Sequence, residues 1–410
     1  MTEAGRDRLL HGEAWDDFCE QLKNAGRIVE RFSDGEIDDL DRAEWYRFLT
    51  RLTRNGLERF ADNCEPERPR LRDTPWRQSI NFQSPDQDHL LAEFVDGSHN
   101  YLIRGNRGGL PYFVIASWRA PQPRNPGGRA WAGEGIQGLA EFDPTALQTT
   151  AAITSKQVSF DAEGNFEIFV GQRDPGEGRD WLPITADCVG LLVRTLYHDR
   201  ANTLPPTFTI ERADHPAPRP IEPAEMCDAL AKAGQVVLGY GELVRRWWQD
   251  NLAQRPNRIR FDRAVYLSNG GVPDRHHGFG TWQCGADEAL VIDFSPAVCD
   301  YWIFQLCSIW QENLDNYEDG GGHVTKFKCR LRRDGSVRIV VAGRDPQLAE
   351  ANWISPFGHR HGGMSLRLIG LATGQEPPAV TLRRVPVAAL ETNGEAVLES
   401  IEPIVSGEVV

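Results

Sequence analysis

The chain contains the stretch Asp161-Ala-Glu-Gly-Asn-Phe-Glu-Ile-Phe-Val-Gly-Gln-Arg-Asp-Pro175 and repeats it, in related form, as Arg333-Asp-Gly-Ser-Val-Arg-Ile-Val-Val-Ala-Gly-Arg-Asp-Pro346. Each copy has a Gly turn, alternating apolar residues, an Arg-Asp-Pro sequence and, a few residues on, a tryptophan. Apolar residues at every second position predict a strand with one buried face. The chain therefore contains a duplicated β module, and we expect Trp181 and Trp353 to fill the core of each copy.

Short apolar runs, interrupted by Gly, Asn and Pro, surround both copies. Many short strands at such spacing predict an antiparallel sandwich of jelly-roll type, because a parallel sheet needs helices between its strands. In the first module strands are predicted near 90–95, 101–104, 112–118, 138–142, 157–160, 166–170, 191–197 and 207–212. In the second they are predicted near 263–267, 288–293, 302–310, 325–331, 337–341, 365–371 and 380–383. The predicted fold is mainly β with accessory α, built as two tandem sandwich modules.

Helical patterns precede and join these modules. Residues 12–64 show two amphipathic helices with a break near Ser33-Asp34-Gly35, and a long apolar stripe predicts a linking helix over 223–254. Gly234, Gly239 and Gly241 weaken that helix, which indicates the close approach of another backbone. The expected regions are an N-terminal helical pair (1–75), a first sandwich (76–215), a linking helix (216–262), a second sandwich (263–388) and a tail (389–410) that is mobile or forms an arm on a neighbouring subunit.

Composition narrows the class of partner. The 410 residues include 45 basic and 59 acidic side chains, which gives a formal net charge of −14 at pH 7. Such a charge repels phosphate backbones and anionic lipids, so neither nucleic acid nor a membrane is expected to bind. There is no apolar run of membrane-spanning length, no secretory signal and no Cys-x-x-Cys pair among the eight cysteines. We expect a cytoplasmic protein, monomeric or homodimeric, whose partner is a small molecule.

The two copies serve as controls for each other, because shared residues specify the fold and residues present in one copy are better candidates for function. Arg344-Asp345-Pro346 is matched by Arg173-Asp174-Pro175, so we expect a structural role for it, although Arg344 is also a candidate substrate-binding residue. His359 and His361 occur in the second copy alone. These two histidines are therefore better candidates for a functional site.

Other polar residues of the second copy suit acid/base chemistry. Glu312, Asp315 and His323 lie around a loop between two predicted strands. A carboxyl group and an imidazole can transfer protons at neutral pH when one orients the other. The predicted catalytic residues are therefore Glu312, Asp315, His323 and His359.

Histidines also bind metals, which leaves a second interpretation open. Neutral imidazoles suit zinc, iron or manganese, and His359, His361 and His323 are the expected ligands of such a divalent ion.

The chain has no Gly-x-Ser-x-Gly, no Gly-x-x-x-x-Gly-Lys and no His-Glu-x-x-His sequence. We therefore expect no nucleotide cofactor.

Aromatic residues near these polar groups also have two interpretations. Trp282, Trp302, Trp310 and Phe357 either form the wall of an apolar substrate pocket or fill the core of the sandwich. Spacing along the sequence does not distinguish the two.

Three further stretches follow a known pattern. They are Ser84-Pro-Asp-Gln-Asp-His-Leu-Leu-Ala-Glu-Phe-Val-Asp-Gly97, Tyr301-Trp-Ile-Phe-Gln-Leu306 and Trp310-Gln-Glu-Asn-Leu-Asp315. With others, they make residues 40 to 385 resemble the bacterial families numbered 1254 and 1214 among the domains of unknown function. The resemblance implies two β-sandwich modules with accessory helices, and it implies no particular activity, cofactor or catalytic residue. Ser84-Pro-Asp-Gln87 stands where these families typically have Asn-Pro-Asp-Asn.

The sequence favours a cytoplasmic enzyme that acts on a small, mostly apolar organic molecule by cofactor-independent hydrolysis, elimination or isomerisation. One alternative is a non-catalytic protein whose loops at 120–135 and 316–323 hold a sugar or a hydrophobic ligand. Another is a metal-dependent jelly-roll enzyme. Sandwich folds host all three functions, so the fold does not select among them.

Overall fold

The computed structural model of the chain describes residues 3–62, 65–73, 83–119, 148–254, 256–268, 271–317 and 319–406. Within them the strands form four sheets, which pack in pairs as two sandwiches. The strand predicted at 138–142 and the loop at 120–135 fall outside the described residues.

The first sandwich has nine described strands. They are β1 (Arg72–Asp73), β2 (His89–Glu93), β3 (Tyr101–Asn106), β4 (Tyr112–Arg119), β5 (Gln148–Thr154), β6 (Asn165–Gly171), β7 (Asp180–Pro183), β8 (Cys188–Leu196) and β9 (Thr207–Arg212). The inner sheet has the order β1-β2-β8-β4-β5 and the outer sheet the order β7-β6-β3-β9. Apolar residues from the facing sides of both sheets form one core.

The second sandwich has the same plan. Its strands are β10 (Arg258–Phe261), β11 (Arg275–Gln283), β12 (Glu288–Phe294), β13 (Cys299–Leu306), β14 (His323–Thr325), β15 (Val337–Ala342), β16 (Asn352–Ile354), β17 (His361–Leu371), β18 (Val380–Pro386) and β19 (Ile404–Ser406). The inner order is β10-β11-β17-β13-β14 and the outer order β16-β15-β12-β18-β19. Strands β11 to β18 thus correspond one by one to β2 to β9. This confirms the predicted pair of β-sandwich modules.

The sequence repeat has the same geometry in both modules. Each copy begins at a turn whose glycine has a positive φ, 85° at Gly164 and 81° at Gly335. The strand that follows pairs in parallel with a short edge strand, β6 with β7 and β15 with β16. The indole N–H of Trp181 or Trp353 donates, over 2.9 Å in both cases, to the carbonyl of the last residue of β6 or β15. Trp353 is 41% exposed, so our expectation that both tryptophans fill the cores is wrong. Each indole instead links the edge strand to the neighbouring strand by this hydrogen bond.

The predicted helices are present, with a break between the first two amphipathic segments as expected. The described helices are α1 (Glu3–Leu10), α2 (Glu13–Gly26), α3 (Asp39–Gly56), α4 (Pro223–Gln254), α5 (Arg263–Ser268) and α6 (Val387–Asn393), with 3₁₀ turns at 27–31, 200–202 and 394–400 and a π turn at 57–61. Helices α2, α3 and α4 share a core that includes Trp45, Trp248 and Trp310. Of the helices described, none is both long enough and apolar enough to cross a membrane.

Glycines of α4 lie where the other helices come close. A Cβ atom at Gly234 would be 2.0 Å from Oε1 of Gln21, and one at Gly241 would be 2.8 Å from Cδ1 of Ile28. Both glycines are therefore closely packed. The neighbours are side chains, however, and not the backbone that we expected.

Several segments differ from the prediction. Residues 263–267 form α5, because a short apolar run is compatible with either a strand or a helical turn. The strand predicted at 325–331 ends at Thr325 and continues as exposed turns, and residues 157–160 are irregular. Strand β11 was missed because its core-facing positions include Gly278 and Gly280 in place of large apolar residues. The tail forms α6 and β19, and β19 pairs with β18.

The two inner sheets face each other, so the layers follow the order outer, inner, inner, outer. The residues that meet between them are buried and mostly apolar. From the first module they include Leu91, Tyr112, Val114, Leu192 and Leu196, and from the second Tyr301, Ile303 and Ile369. Polar residues occupy neighbouring positions on the same two faces, and these form the candidate site.

Candidate functional site

A second, shorter repeat precedes the inner sheets. Pro85-Asp86-Gln87-Asp88-His89 leads into β2, and Pro273-Asp274-Arg275-His276-His277 leads into the equivalent strand β11. Our sequence analysis did not detect this Pro-Asp-x-x-His repeat, although it is visible in the sequence. It places equivalent residues of both modules between the two sandwiches.

The aspartates of this repeat bind tyrosines across the module boundary. The Tyr112 hydroxyl donates to Asp274, and the Tyr301 hydroxyl donates to Asp86. The tyrosines are equivalent, since each begins or nearly begins its strand and pairs with a matching position of β8 or β17. Reciprocal contacts of this kind are the signature of an isologous interface. The two modules are therefore related by a pseudo-two-fold axis that passes through this interface.

Each module also supplies a histidine and an arginine to the interface. His89 lies opposite Arg194 in the β2–β8 pair, and His277 lies opposite Arg367 in the β11–β17 pair. Side chains alternate along a strand, so these four lie on the faces that carry the apolar residues between the sheets. Nη2 of Arg367 lies 3.5 Å from Nε2 of His277, whose ring is 3.7 Å from that of Phe279.

The equivalent residues Gln87 and Arg275 meet each other near the axis. Nη1 of Arg275 donates to Oε1 of Gln87 over 3.1 Å. Arg275 is 2% exposed and Gln87 is fully buried. The interface thus has a guanidinium group at its centre, contributed by the second module alone.

The arginines set the electrostatics of the interface. Burial, reinforced by the charge of Arg275, lowers the pKa of both Arg194 and Arg367 to about 10. Burial and the three guanidinium charges also hold the pKa of His89 and that of His277 well below the ordinary value of 6.5. Both imidazoles are therefore neutral at pH 7.

Asp86 has the opposite character. It is 8% exposed, and burial raises its pKa to about 6, against the opposing charge of Arg367. A carboxyl group with this pKa exchanges its proton near neutral pH. Its counterpart Asp274 is only half-buried, so the two aspartates occupy equivalent positions in different environments.

Several polar atoms at this interface are shielded from solvent and have no hydrogen-bond partner among the residues that the structure describes. They are Nε and Nη2 of Arg275, Nε2 of Gln87, Nε2 of His89, Oδ1 of Asp86 and Oδ1 of Asp274. Buried polar groups are nearly always hydrogen-bonded in native proteins, so donors and acceptors that converge without partners indicate a place for a polar ligand or water. Among the described residues, the interface therefore offers free hydrogen-bonding atoms from both modules.

The predicted catalytic carboxylates lie elsewhere, against helix α3. Nη1 of Arg51 donates to Glu312 over 3.1 Å, and Arg47 binds Asp315. Glu312 is 3% exposed, and burial raises its pKa to about 8 even though the charge of Arg51 opposes the shift. Both side chains thus contact arginines on one face of a helix.

The two histidines of the second copy reach the same helix. Nε2 of His359 lies 2.9 Å from Glu44, and Nε2 of His361 lies 2.7 Å from Asp41. Burial disfavours the charged form of His359, but the hydrogen bond to Glu44 and the charge of Glu44 outweigh burial and raise its pKa. The structure therefore brings Glu312, Asp315 and both histidines to one surface, which we call the α3 network.

His323 is not part of the α3 network. It lines a groove of about 680 Å³ at the edge of the second sandwich, together with Lys328 and Trp353. Burial, with the charge of Lys328, lowers its pKa to about 4. In the part of the chain that the structure describes, no three His, Cys, Asp or Glu side chains are placed to hold a metal ion. The metal ligands that we expected, His359, His361 and His323, do not form such a group.

The residues predicted to bind substrate do not line a common pocket. Trp282 and Trp302 belong to the core of the second sandwich, and Trp310 belongs to the helical core. Phe357 is 51% exposed. Arg344 forms a surface ion pair with Glu391 over 2.7 Å. The core interpretation of the three tryptophans is therefore the right one.

Comparison with solved structures gives one informative match. An uncharacterized protein from Burkholderia cenocepacia is 30% identical, with a TM-score of 0.81 over 94% of this chain and 100% of that one. The VPA0106 protein from Vibrio parahaemolyticus is 11% identical, with a TM-score of 0.44 over 88% of this chain and 99% of that one. Comparisons with models of protein families and with curated proteins gave no match.

Proposed function

Since the chain belongs to the family of the uncharacterized Burkholderia cenocepacia protein, for which no activity is stated, we propose from the site alone that it binds a small organic molecule between its two sandwiches. One observation carries the proposal. Buried donors and acceptors from both modules converge on the pseudo-two-fold axis and have no partner among the described residues. Leaving such groups unpaired costs about 1 to 3 kcal/mol each, so a fold that retains them gains from a bound partner.

The surroundings of the site suit an organic ligand with both polar and apolar parts. Tyr112, Tyr301 and the aliphatic residues between the inner sheets provide an apolar wall. His89, Gln87 and Arg275 provide directed hydrogen-bonding groups. A mainly apolar lining with a few convergent polar groups is the usual composition of a small-molecule site.

A second candidate function is acid/base catalysis at the same place, and Asp86 supports it. The imidazoles of His89 and His277 are poor proton acceptors, because neighbouring guanidinium groups disfavour their protonation. Asp86 has a pKa of about 6 and an oxygen, Oδ1, that has no hydrogen-bond partner among the described residues. It is therefore better suited than the histidines to transfer a proton during hydrolysis, elimination or isomerisation.

Native mass spectrometry of the purified chain, followed by release and identification of any bound compound, tests the binding proposal. We expect a stoichiometric small molecule whose occupancy falls in a His89→Ala variant. Glu312→Gln is the matched control, because it removes a buried ionisable group of the α3 network instead. Loss of the compound in the Glu312→Gln variant alone would place the site at α3 and refute the proposal.

Turnover of the identified compound tests the second candidate. Asp86→Asn is expected to retain binding and lose turnover, whereas Asp274→Asn retains both. Unchanged turnover in Asp86→Asn would leave the non-catalytic binding function.

The remaining expectations stay part of the proposal. A cytoplasmic location and a homodimer accord with the charge and the cysteine pattern. The resemblance to families 1254 and 1214 rests on the stretches quoted above. Glu312, His359, Asp315 and His323 stay predicted catalytic residues for a substrate bound near α3 or the edge groove. A divalent metal stays an alternative, although His359, His361 and His323 do not meet as one ligand group among the described residues.

A further inference from the structure

The two modules differ in charge at the point where they should be most alike. Each module contributes one aspartate, one tyrosine, one histidine and one strand arginine to the interface, at equivalent positions. Beside the axis, however, Gln87 of the first module faces Arg275 of the second. A neutral amide and a guanidinium group thus occupy equivalent places.

Arg275 has no compensating carboxylate. It forms no ion pair with any described residue; its Nη1 donates to Gln87, and the guanidinium group also interacts with the Tyr112 hydroxyl. Nε and Nη2 are shielded from solvent and have no partner in the described parts of the chain. These two nitrogens form one edge of the planar guanidinium group, the edge that binds both oxygens of a carboxylate at once.

The charge around Arg275 is also unbalanced. Burial lowers the pKa of Arg194 and of Arg367, and the charge of the neighbouring Arg275 lowers both further. Two carboxylates face them, those of Asp86 and Asp274, and each also accepts a tyrosine hydroxyl. Arg275 has no carboxylate partner among the described residues, so its positive charge is not balanced there. A buried charge without a partner is costly, and one anionic group would neutralise it.

We propose that the ligand of the inter-module site carries a single anionic group of carboxylate size and that the Nε–Nη2 edge of Arg275 binds it. The inference rests on the proposed function and adds the class of ligand, an organic monoanion. Gln87 holds the guanidinium group in place through its amide oxygen. His89, whose ring is neutral, donates to or accepts from the uncharged part of the ligand.

The smallest members of the class test the charge requirement. Acetate and its neutral isostere acetamide are titrated into the full chain at constant ionic strength, and binding is followed by the ¹⁵N NMR signal of the arginine Nε–H groups. Acetate is expected to shift the Arg275 signal saturably, and acetamide is expected to bind at least about tenfold more weakly. Equal binding of the two at this site would overturn the monoanion class and leave the small-molecule proposal standing.

The pseudo-symmetry supplies matched variants. Arg275→Gln places two glutamines beside the axis and should weaken acetate binding about tenfold or more. The exchange Gln87→Arg with Arg275→Gln moves the guanidinium group across the axis, so it should restore part of the affinity. Undiminished acetate binding in Arg275→Gln would refute the assignment of Arg275.

Thermal unfolding provides a readout that is independent of ligand affinity. Removing an uncompensated buried charge should raise the Tm of the ligand-free chain, so Arg275→Gln is expected to melt higher than wild type without acetate. The difference should shrink when acetate is present. A lower Tm of the variant with and without acetate would mean that Arg275 is already neutralised within the fold, which contradicts the inference. Failure of both probes, together with the absence of any bound compound, would reject the proposed function itself.

Discussion

The inter-module site and the α3 network both bury ionisable side chains, but they differ in how the buried charges are balanced. Glu312 and Asp315 meet arginines of α3, and His359 and His361 meet its carboxylates. Between the sandwiches, Arg275 has no carboxylate partner among the described residues. These charged pairs are sufficient to explain a helix docked on a sandwich, although Oε1 of Glu312 is also buried without a partner among the described residues. Charges left open at an interface are better explained by a ligand, so pairing distinguishes the two regions more clearly than burial does.

The largest effect should come from the packing that docks α3. Trp310 is fully buried against Trp45 and Phe48, and its indole donates to the carbonyl of Asp41 over 2.9 Å. We expect Trp310→Ala to lower the free energy of unfolding by about 4 kcal/mol, measured by urea denaturation. Trp353→Ala is the control, since that indole also donates to a backbone carbonyl but is 41% exposed. Equal losses in both variants would contradict the assignment of Trp310 to the core.

Titration should show how the α3 network responds to pH. The pKa of Glu312 in the folded chain, about 8, lies above its ordinary value of 4.5, so the folded chain holds the proton more tightly than the unfolded chain. The contribution of protonated Glu312 to the free energy of unfolding is fully present below pH 4.5 and is lost as the pH rises towards 8. Relative to Glu312→Gln, wild type should lose about 3 kcal/mol over that range, measured by urea denaturation at several pH values. Parallel curves for the two proteins would mean that Arg51 keeps the carboxylate ionised at no cost.

The reciprocal tyrosines test the symmetry of the inter-module site. Tyr301→Phe leaves the buried Asp86 without its donor, and we expect a loss of about 2 kcal/mol in the free energy of unfolding. Tyr112→Phe should cost about 1 kcal/mol, because Asp274 is half-buried and water can replace the hydroxyl. A larger loss for Tyr112→Phe would reverse the assignment of Asp86 as the more deeply buried partner.

The smallest effect is expected at Arg344. This residue and Glu391 form an ion pair on the surface, where solvent screens the attraction. Arg344→Gln should leave the Tm and the binding of any inter-module ligand unchanged within error. A clear loss of binding would restore Arg344 as a substrate-binding residue and would weaken the contrast between the two regions.

The sequence was informative about the fold because the repeat around Gly164 and Gly335 combines a turn, a strand and an edge strand in one recognisable unit. It was less informative about β11, whose glycines interrupt the alternation of apolar residues. The segment at 263–267 was misassigned because five residues do not distinguish a strand from a helical turn.

The sequence located only part of the candidate site. Comparing the two copies correctly selected His359 and His361 as special to the second module, but those residues pair with α3, a segment outside the repeat. The inter-module residues were overlooked because the short Pro-Asp-x-x-His repeat was not recognised, and our criterion would in any case have assigned residues shared by both copies to the fold. At an interface between repeats the reverse can hold, since equivalent residues of both copies meet at one place.

The contact between Gln87 and Arg275 has a consequence for how such a site is encoded. In a dimer of identical chains, a residue next to the two-fold axis lies beside its own copy, so this position would hold two arginines that repel or two glutamines without charge. Joining the halves in one polypeptide removes that restriction, because each half can then be substituted separately. The covalent link between the modules therefore allows a single positive charge at the centre of an otherwise symmetric interface, which two separate identical subunits cannot provide.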